Sequence, residues 1–485
     1  MRSLWLAPLL AACPPREPEW AFPDPTSGPA LLGPGGPNTT FDASERFALC
    51  GYADVGEDDP HDVHNGLYPW RGYAVMPYAR DFGDGGVAVF DVSDPCAPVV
   101  VGSTRELSMR ETHTAAFVHR DGHDWLVATD LLGLQIWSLD DPADPVMVTR
   151  VPIEGVTILP GSYPRTVHTA FLQDPWLYVA AADSGLYVVD LSDLAAPIVS
   201  DPIVFEPPLR VGFVYALGDL LFVAGSEESE AIVLQITGPG ELSPIPGGRF
   251  AVADAGGTPR EAYSGSVAGP YALFARTEEG SGVVAYDWTH PEAPVYVGDV
   301  NTVGNGGYVF HDEGRWFIGE SDVARVFDAT DPAAPVLLGE ITMHGDLDTL
   351  MPYGNVAFLS ADEDAADGEA TAVIPIDLEP DSKGPSVMRV VPADGASVGP
   401  NTRIGVAFDE FIEPTTAFEG SLRLYDADGA PVRGVVSAQE SIATYVPTTP
   451  LLPGTYTATV EAGGVRDAND NTIEETWSWT FTVGP

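Results

Sequence analysis

An all-β protein, made largely of one repeated unit and ended by a smaller β-domain, is what this sequence predicts, on three observations. Its 485 residues include 51 glycines and 45 prolines, which suits short strands joined by tight turns better than long helices. One phrase of apolar, β-branched residues ending in a turn occurs seven times. Beyond residue 383 that phrase stops while strand-like alternation goes on.

Charge and length bound the function classes. Hydrophobic residues make up 45% and aromatics 10%, so a large core can be buried in spite of a formal charge of -49. Against 71 acidic residues there are 22 basic ones, with Lys383 the sole lysine, so no cationic stripe exists to neutralise phosphates. Nucleic-acid partners are excluded on that ground, and so is attraction to anionic lipid headgroups.

The N-terminus speaks to location. Residues 1–12 carry one cation, Arg2, and then the apolar stretch from Leu4 to Ala12, the layout of a secretory signal and too short to span a bilayer. Leu10-Ala11-Ala12-Cys13 is similar to a bacterial lipobox, which implies cleavage before Cys13 and a membrane attachment through lipid on that residue. Three acyl chains hold stably where one does not. An ordinary signal peptide with an incidental cysteine is the alternative reading. Residues 13–44 read as a tether, since eight prolines and four glycines among the 24 residues from Pro14 to Pro37 favour extended chain. Pro14 stands where an Asp resembles an inner-membrane retention signal, which directs the expected location to the outer membrane of a bacterial envelope.

In full the repeated phrase reads Gly86-Val87-Ala88-Val89-Phe90-Asp91-Val92-Ser93-Asp94-Pro95, and it returns from Gly185 to Asp193, from Val283 to Asp287 and from Val326 to Pro332. Weaker copies run from Leu134 to Trp137, Ile232 to Ile236 and Ala372 to Asp377. The equivalent positions Asp91, Ser138, Asp190, Gln235, Asp287, Asp328 and Asp377 are 47, 52, 45, 52, 41 and 49 residues apart, a period that suits a four-stranded propeller blade. Within a copy, short strands flank turn residues, as Trp176 to Ala180 and Leu186 to Asp190 flank Asp183-Ser184-Gly185. A lone blade cannot bury both faces, whereas blades stacked radially make each face core. The seventh copy runs out after Asp377 while the β-like run Arg46 to Asp54 is spare. That run is expected to supply the outer strand of the seventh blade and remove an exposed edge.

Leu186-Tyr187-Val188-Val189-Asp190-Leu191-Ser192 resembles the LVIVD repeat, a propeller repeat of bacterial surface proteins. The resemblance covers residues 45–382, implies a β-propeller, seven-bladed by the count of copies, and brings no general reaction with it. The recurrent Asp91, Asp190, Asp287, Asp328 and Asp377 read as strand-ending residues whose carboxylates accept nearby backbone N–H bonds, in preference to a ring of acids with a chemical role.

Residues 383–485 carry Val390-Val391-Pro392-Ala393-Asp394-Gly395, strand-like runs from Ile404, Leu422, Thr455 and Trp477, and an Asp428-Gly429 turn. Their order resembles a bacterial Ig-like domain, implying a β-sandwich that acts as a spacer or adhesive module. Asp467-Ala468-Asn469-Asp470-Asn471 is similar to the calcium linker of cadherins, which makes Asp467, Asn469, Asp470 and Asn471 candidate Ca²⁺ ligands. The other reading is a plain turn with Asp470 in the place of a glycine. Asp362-Glu363-Asp364, continuing to Asp367-Gly368-Glu369, is a second acidic loop whose spacing departs from an EF-hand.

No P-loop, Rossmann glycine fingerprint or His-Glu-x-x-His pair occurs in the sequence. Two function classes stand: a lipid-anchored surface binding or adhesion protein that takes a surface protein or glycan on the propeller, and a propeller enzyme with a metal in its channel. The histidines bear on the second. His64, His113 and His168 precede Tyr73, Trp125 and Trp176 at matching points of consecutive repeats, where inner strands begin. Three imidazoles there can converge on one divalent metal, with Asp62 and Asn305 assisting. They read as well as repeat residues bonded to neighbouring backbone carbonyls. With Cys13 carrying lipid, Cys50 and Cys96 are the remaining thiols, and export favours their pairing as a disulfide.

Overall fold

The computed structural model describes residues 39–484 apart from 56–65, 81–82, 160–161, 239, 278–281, 305, 362–364, 367, 378 and 419. Cys13, Asp62, His64, Asn305 and the acidic loop 362–364 lie outside the described residues. Among the described residues, regular structure is strand throughout, apart from a 3₁₀ turn at Pro414–Ala417.

Runs such as Tyr73–Ala79 and Gly85–Asp91 are strands because their aromatic and β-branched side chains fill both faces of a sheet that neighbours cover on each side. Tyr68–Trp70, Tyr73–Ala79, Gly85–Asp91 and Val99–Glu106 pair antiparallel in that order as the first blade. Six more sheets of this kind follow, starting at Ala115, Thr169, Val211, Ala262, Val309 and Thr349. First strands of successive blades approach one another and line a central channel, while last strands such as Val99–Glu106 face water.

The final blade borrows its outer strand. Gly51–Ala53 pairs with Thr371–Pro375 through Gly51↔Val373 and Ala53↔Thr371, in the place expected for the run Arg46 to Asp54. Tyr353, Phe358 and Val373 then pack against Met76, Tyr78 and Phe90 of the first blade, which completes the ring. Cys50 and Cys96 form a disulfide with Cα atoms 5.0 Å apart, tying the closing strand to a turn of the first blade.

One boundary moves. Asp42–Ala43 adds a fifth strand to the sixth blade, with Asp42 opposite Thr342, and the Thr40 N–H donates to Glu369 Oε2 at 2.9 Å. The tether expected to reach residue 44 gives way to folded chain by Thr40, because the sixth blade's outer strand offers backbone groups that this segment can pair. The recurrent aspartates are turn residues. Oδ1 of Asp91, Asp190, Asp287 and Asp328 accepts the N–H two residues on at 2.8 to 3.0 Å, whereas Asp377 faces Arg315 at 2.5 Å.

The C-terminal domain is a sandwich of two four-stranded sheets around Val406, Phe408, Tyr456, Trp479 and Phe481. It is not held off as a spacer. It sits on the propeller face built by the hairpins that join first and second strands. Close approach there depends on two glycines: a Cβ on Gly405 would meet the Gly218 nitrogen at 2.1 Å, and Gly218, at φ 57, would carry one 2.7 Å from the Val391 carbonyl oxygen. The spacer expectation fails because the facing surfaces exchange buried hydrogen bonds, which a detached domain would leave unmade.

Candidate functional site

Each blade's first strand runs from one mouth of the channel to the other, so residues before and after it mark opposite ends. The far end, after the strand, is occupied. Arg403, 3% exposed, donates to Gln173 Oε1 at 2.9 Å, to the Tyr178 hydroxyl and to the Gly238 carbonyl at 3.2 Å. Its own N–H donates to Asp219 Oδ1 at 2.7 Å, and burial pushes the Asp219 carboxyl up to about 6. Gln439 works as a strand partner for the third blade, accepting from the Leu172 N–H and donating to the Ala170 carbonyl, both at 3.0 Å. Beside it Glu440, at a hairpin tip with φ 53, reaches into the channel, where the Tyr215 hydroxyl donates to Oε2 at 3.0 Å. Burial pushes the Glu440 carboxyl up to about 7. Phe411 N–H donates to Asp312 Oδ1 at 2.8 Å, Arg71 N–H to Glu413 Oε1 at 3.1 Å, and Arg389 lies 4.1 Å over the Trp288 ring.

The near end, before the strand, carries side chains that bond from blade to blade. Thr114 Oγ1 accepts from the Ala170 N–H at 2.9 Å, Ser264 Oγ donates to the Gly307 carbonyl at 2.7 Å, and the Tyr308 N–H donates to the Asp348 carbonyl at 2.8 Å. His113 belongs to this belt: Nδ1 is 3.0 Å from the His168 carbonyl, and Nε2 is 2.6 Å from Glu111 Oε1. The carbonyl only accepts, so an N–H on Nδ1 suits that contact, and Nε2 faces the carboxylate. Around the pair, the His168 and Tyr308 rings are centred 5.9 and 6.1 Å from that of His113, and Tyr263 meets Tyr308 edge-on at 6.0 Å. Asp348, 6% exposed, is pushed well above the usual carboxylate range by burial and by Asp346 and Glu111, although Tyr263 bonds to it. The mouth thus offers partly buried aromatic edges, an imidazole and carboxyl groups.

The structure brings His113 and His168 together, with His113 bonded in the manner of a repeat residue. Sequence reasoning missed Glu111, Tyr308 and Asp348. Asp348 was findable, since it precedes Thr349–Tyr353 much as His168 precedes Thr169–Gln173. Of the four proposed calcium ligands, Asp467 alone joins other carboxylates. Asp470 pairs with Arg466, Asn469 donates its amide to Asn355 Oδ1, and the Asn471 amide donates to Asp381 Oδ2 and Asp467 Oδ2, both at 3.0 Å. Asp381, Glu410 and Asp467 bring ligand oxygens within 4.8 Å of one another where connector, sandwich and propeller meet.

Comparisons with known proteins agree with both halves. The LVIVD repeat model matches residues 81–105 and 172–201, and the bacterial Ig-like domain model matches residues 381–483. No curated protein is detectably similar in sequence. Solved structures similar to the chain include a putative 6-phosphogluconolactonase from Bacteroides fragilis, 10% identical over 63% of this chain and 92% of that one at a TM-score of 0.45. Another is the periplasmic gluconolactonase of Pseudomonas aeruginosa, 11% identical over 58% and 85% at 0.46. A third is the β-propeller domain of Swd1 from Myceliophteria thermophila, 10% identical over 67% and 96% at 0.48. The chain is an LVIVD-repeat β-propeller with a bacterial Ig-like domain at its C-terminal end.

Proposed function

We propose that this is a lipid-anchored bacterial surface protein that captures a glycan, or a glycan-bearing surface partner, at the near mouth of its channel. The observation that carries this reading is that the far mouth is filled by the chain's own Ig-like domain, which leaves the cluster of His113, Glu111, Tyr263, Tyr308 and Asp348 to meet a ligand. Carboxyl and phenol groups beside aromatic edges suit sugar hydroxyls and ring faces, and the acidity of the chain disfavours anionic ligands. The anchor rests on Leu10-Ala11-Ala12-Cys13.

Binding to an array of bacterial and host glycans tests the site. The full chain captures a subset, and Tyr308→Ala and His113→Ala each reduce capture at least tenfold; equal capture by both variants removes the reading. Intact-mass spectrometry from a bacterial host tests the anchor, which an uncleaved precursor without acyl chains on Cys13 removes. A second reading, a propeller enzyme with a divalent metal, draws on the closeness of His113 to His168 and Glu111. A stoichiometric transition metal in protein purified without chelator, lost in the double variant His113→Ala, His168→Ala, selects it.

A further inference from the structure

The three carboxylates at the joint come from three separate stretches of chain. Asp381 lies on the connector, Glu410 follows the strand Ile404–Phe408, and Asp467 heads the loop before Thr472. Glu410 is 5% exposed and Asp467 2%. Asp467 Oδ1 accepts from the Asn469 and Asn471 N–H groups at 2.8 and 2.9 Å, and Asp381 Oδ1 accepts from the Lys383 N–H at 3.0 Å. Asn471, bridging Asp381 and Asp467 with one amide, fixes their approach.

Glu410 is different. Its carboxylate reaches into this group, has no hydrogen-bond donor among the described residues, and the charges bearing on it are all acidic: Asp312, Asp467, Asp409 and Glu313. On the Asp467 loop, Asn469 Oδ1 is a second buried oxygen without a donor. A buried, undonated carboxylate among other acids is costly unless it takes up a proton or a cation compensates it. No arginine or lysine of the described residues is paired with it.

We propose that Asp381, Glu410 and Asp467 bind a calcium ion that locks the Ig-like domain onto the propeller. Oxygen ligands alone select a hard cation, and three carboxylates meet much of the six to eight oxygens that Ca²⁺ takes, with water or amide oxygen completing the shell. Calcium in place of magnesium follows from the ligands' origin on three segments, an arrangement suited to a large and geometrically tolerant ion. The ion neutralises the trio and gives the connector, the sandwich and the sixth and seventh blades one common point, because Asp312 holds Phe411 next to Glu410 and Asn355 holds Asn469.

The test uses the full chain, stripped with chelator and dialysed, then titrated with CaCl₂ alone by calorimetry and thermal melting. Expected are one bound ion per chain and a rise in melting temperature of roughly 3 °C at a hundredfold excess over Kd. Glu410→Gln keeps the side chain's size and removes one charge from the crowded trio, so without calcium it melts no lower than the stripped parent. Its binding is weakened at least tenfold and its melting no longer responds to calcium. A parent that takes up no calcium at millimolar concentration, a Glu410→Gln variant that binds as the parent does, or an equal response to MgCl₂ overturns the proposal.

Discussion

At the far mouth of the channel, polar side chains are buried against a second domain; at the near mouth, side chains at corresponding places bond from blade to blade and keep their outer edges in water. Both mouths are made by the same repeat. Arg403 and Gln439 at the first have lost nearly all contact with solvent, whereas Tyr263 and Tyr308 at the second are only partly covered. The difference teaches that the repeat builds two equivalent ends and that the domain following it decides which end remains for a ligand. Far-mouth residues should therefore weigh on stability, and near-mouth residues on binding.

The largest expected effect comes from Arg403→Ala, which strips Gln173, Tyr178 and the Gly238 carbonyl of a buried partner and should cost about 3–5 kcal/mol in denaturant unfolding. Limited proteolysis near Lys383 should quicken in parallel; a cost below about 1 kcal/mol would mean that docking does little for stability. Next is Glu440. Its folded carboxyl titrates at about 7 against 4.5 for the ordinary group, so the folded chain binds more protons between those values. Stability from this group is full below pH 4.5, falls as pH rises to about 7 and is level above, a loss of about 3 kcal/mol. Comparing urea midpoints of the parent and Glu440→Gln across that range isolates the slope, and identical slopes would show that Glu440 is not buried as described.

A smaller effect is expected for Arg389→Met, which removes the cation over Trp288 and its bonds to the Trp288 and Thr289 carbonyls, at about 1–2 kcal/mol in the same assay. Smallest is His113→Gln, which keeps one hydrogen bond at the near mouth and should shift stability by about 1 kcal/mol or less. Should His113→Gln instead rival Arg403→Ala, the contrast between the mouths would collapse.

Much of the architecture was legible because a propeller writes itself many times. The copies around Asp91, Asp190, Asp287 and Asp328 record strand ends, and the spare run near Cys50 marked the closing strand by elimination. Docking of the Ig-like domain left no such trace. It rests on single residues at turns, Arg403, Gln439, Glu440 and Asn469, each an ordinary polar residue in sequence and meaningful only beside the blade it meets. The near mouth was half legible for a related reason. Histidine recurs at two described positions and could be noticed, while Tyr308 and Asp348 fill comparable positions with other chemistry and so broke the pattern. The acidic loop was noticed at Asp467, but its companions Asp381 and Glu410 are 86 and 57 residues away and only the fold gathers them.

The Cys50–Cys96 bond also decides how the molecule bears tension. A pull entering from the N-terminal side first meets Asp42–Ala43, an edge strand with two register pairs that can peel one after the other. At Cys50 the load divides, and the covalent branch hands it to Cys96, 46 residues further on. The chain between, which includes the closing strand Gly51–Ala53 and the first three strands of the first blade, is then off the load path. The closing seam, held by three residue pairs, is in this way mechanically shielded while the bond is oxidised and is the next to bear the load after Asp42–Ala43 once the bond is reduced.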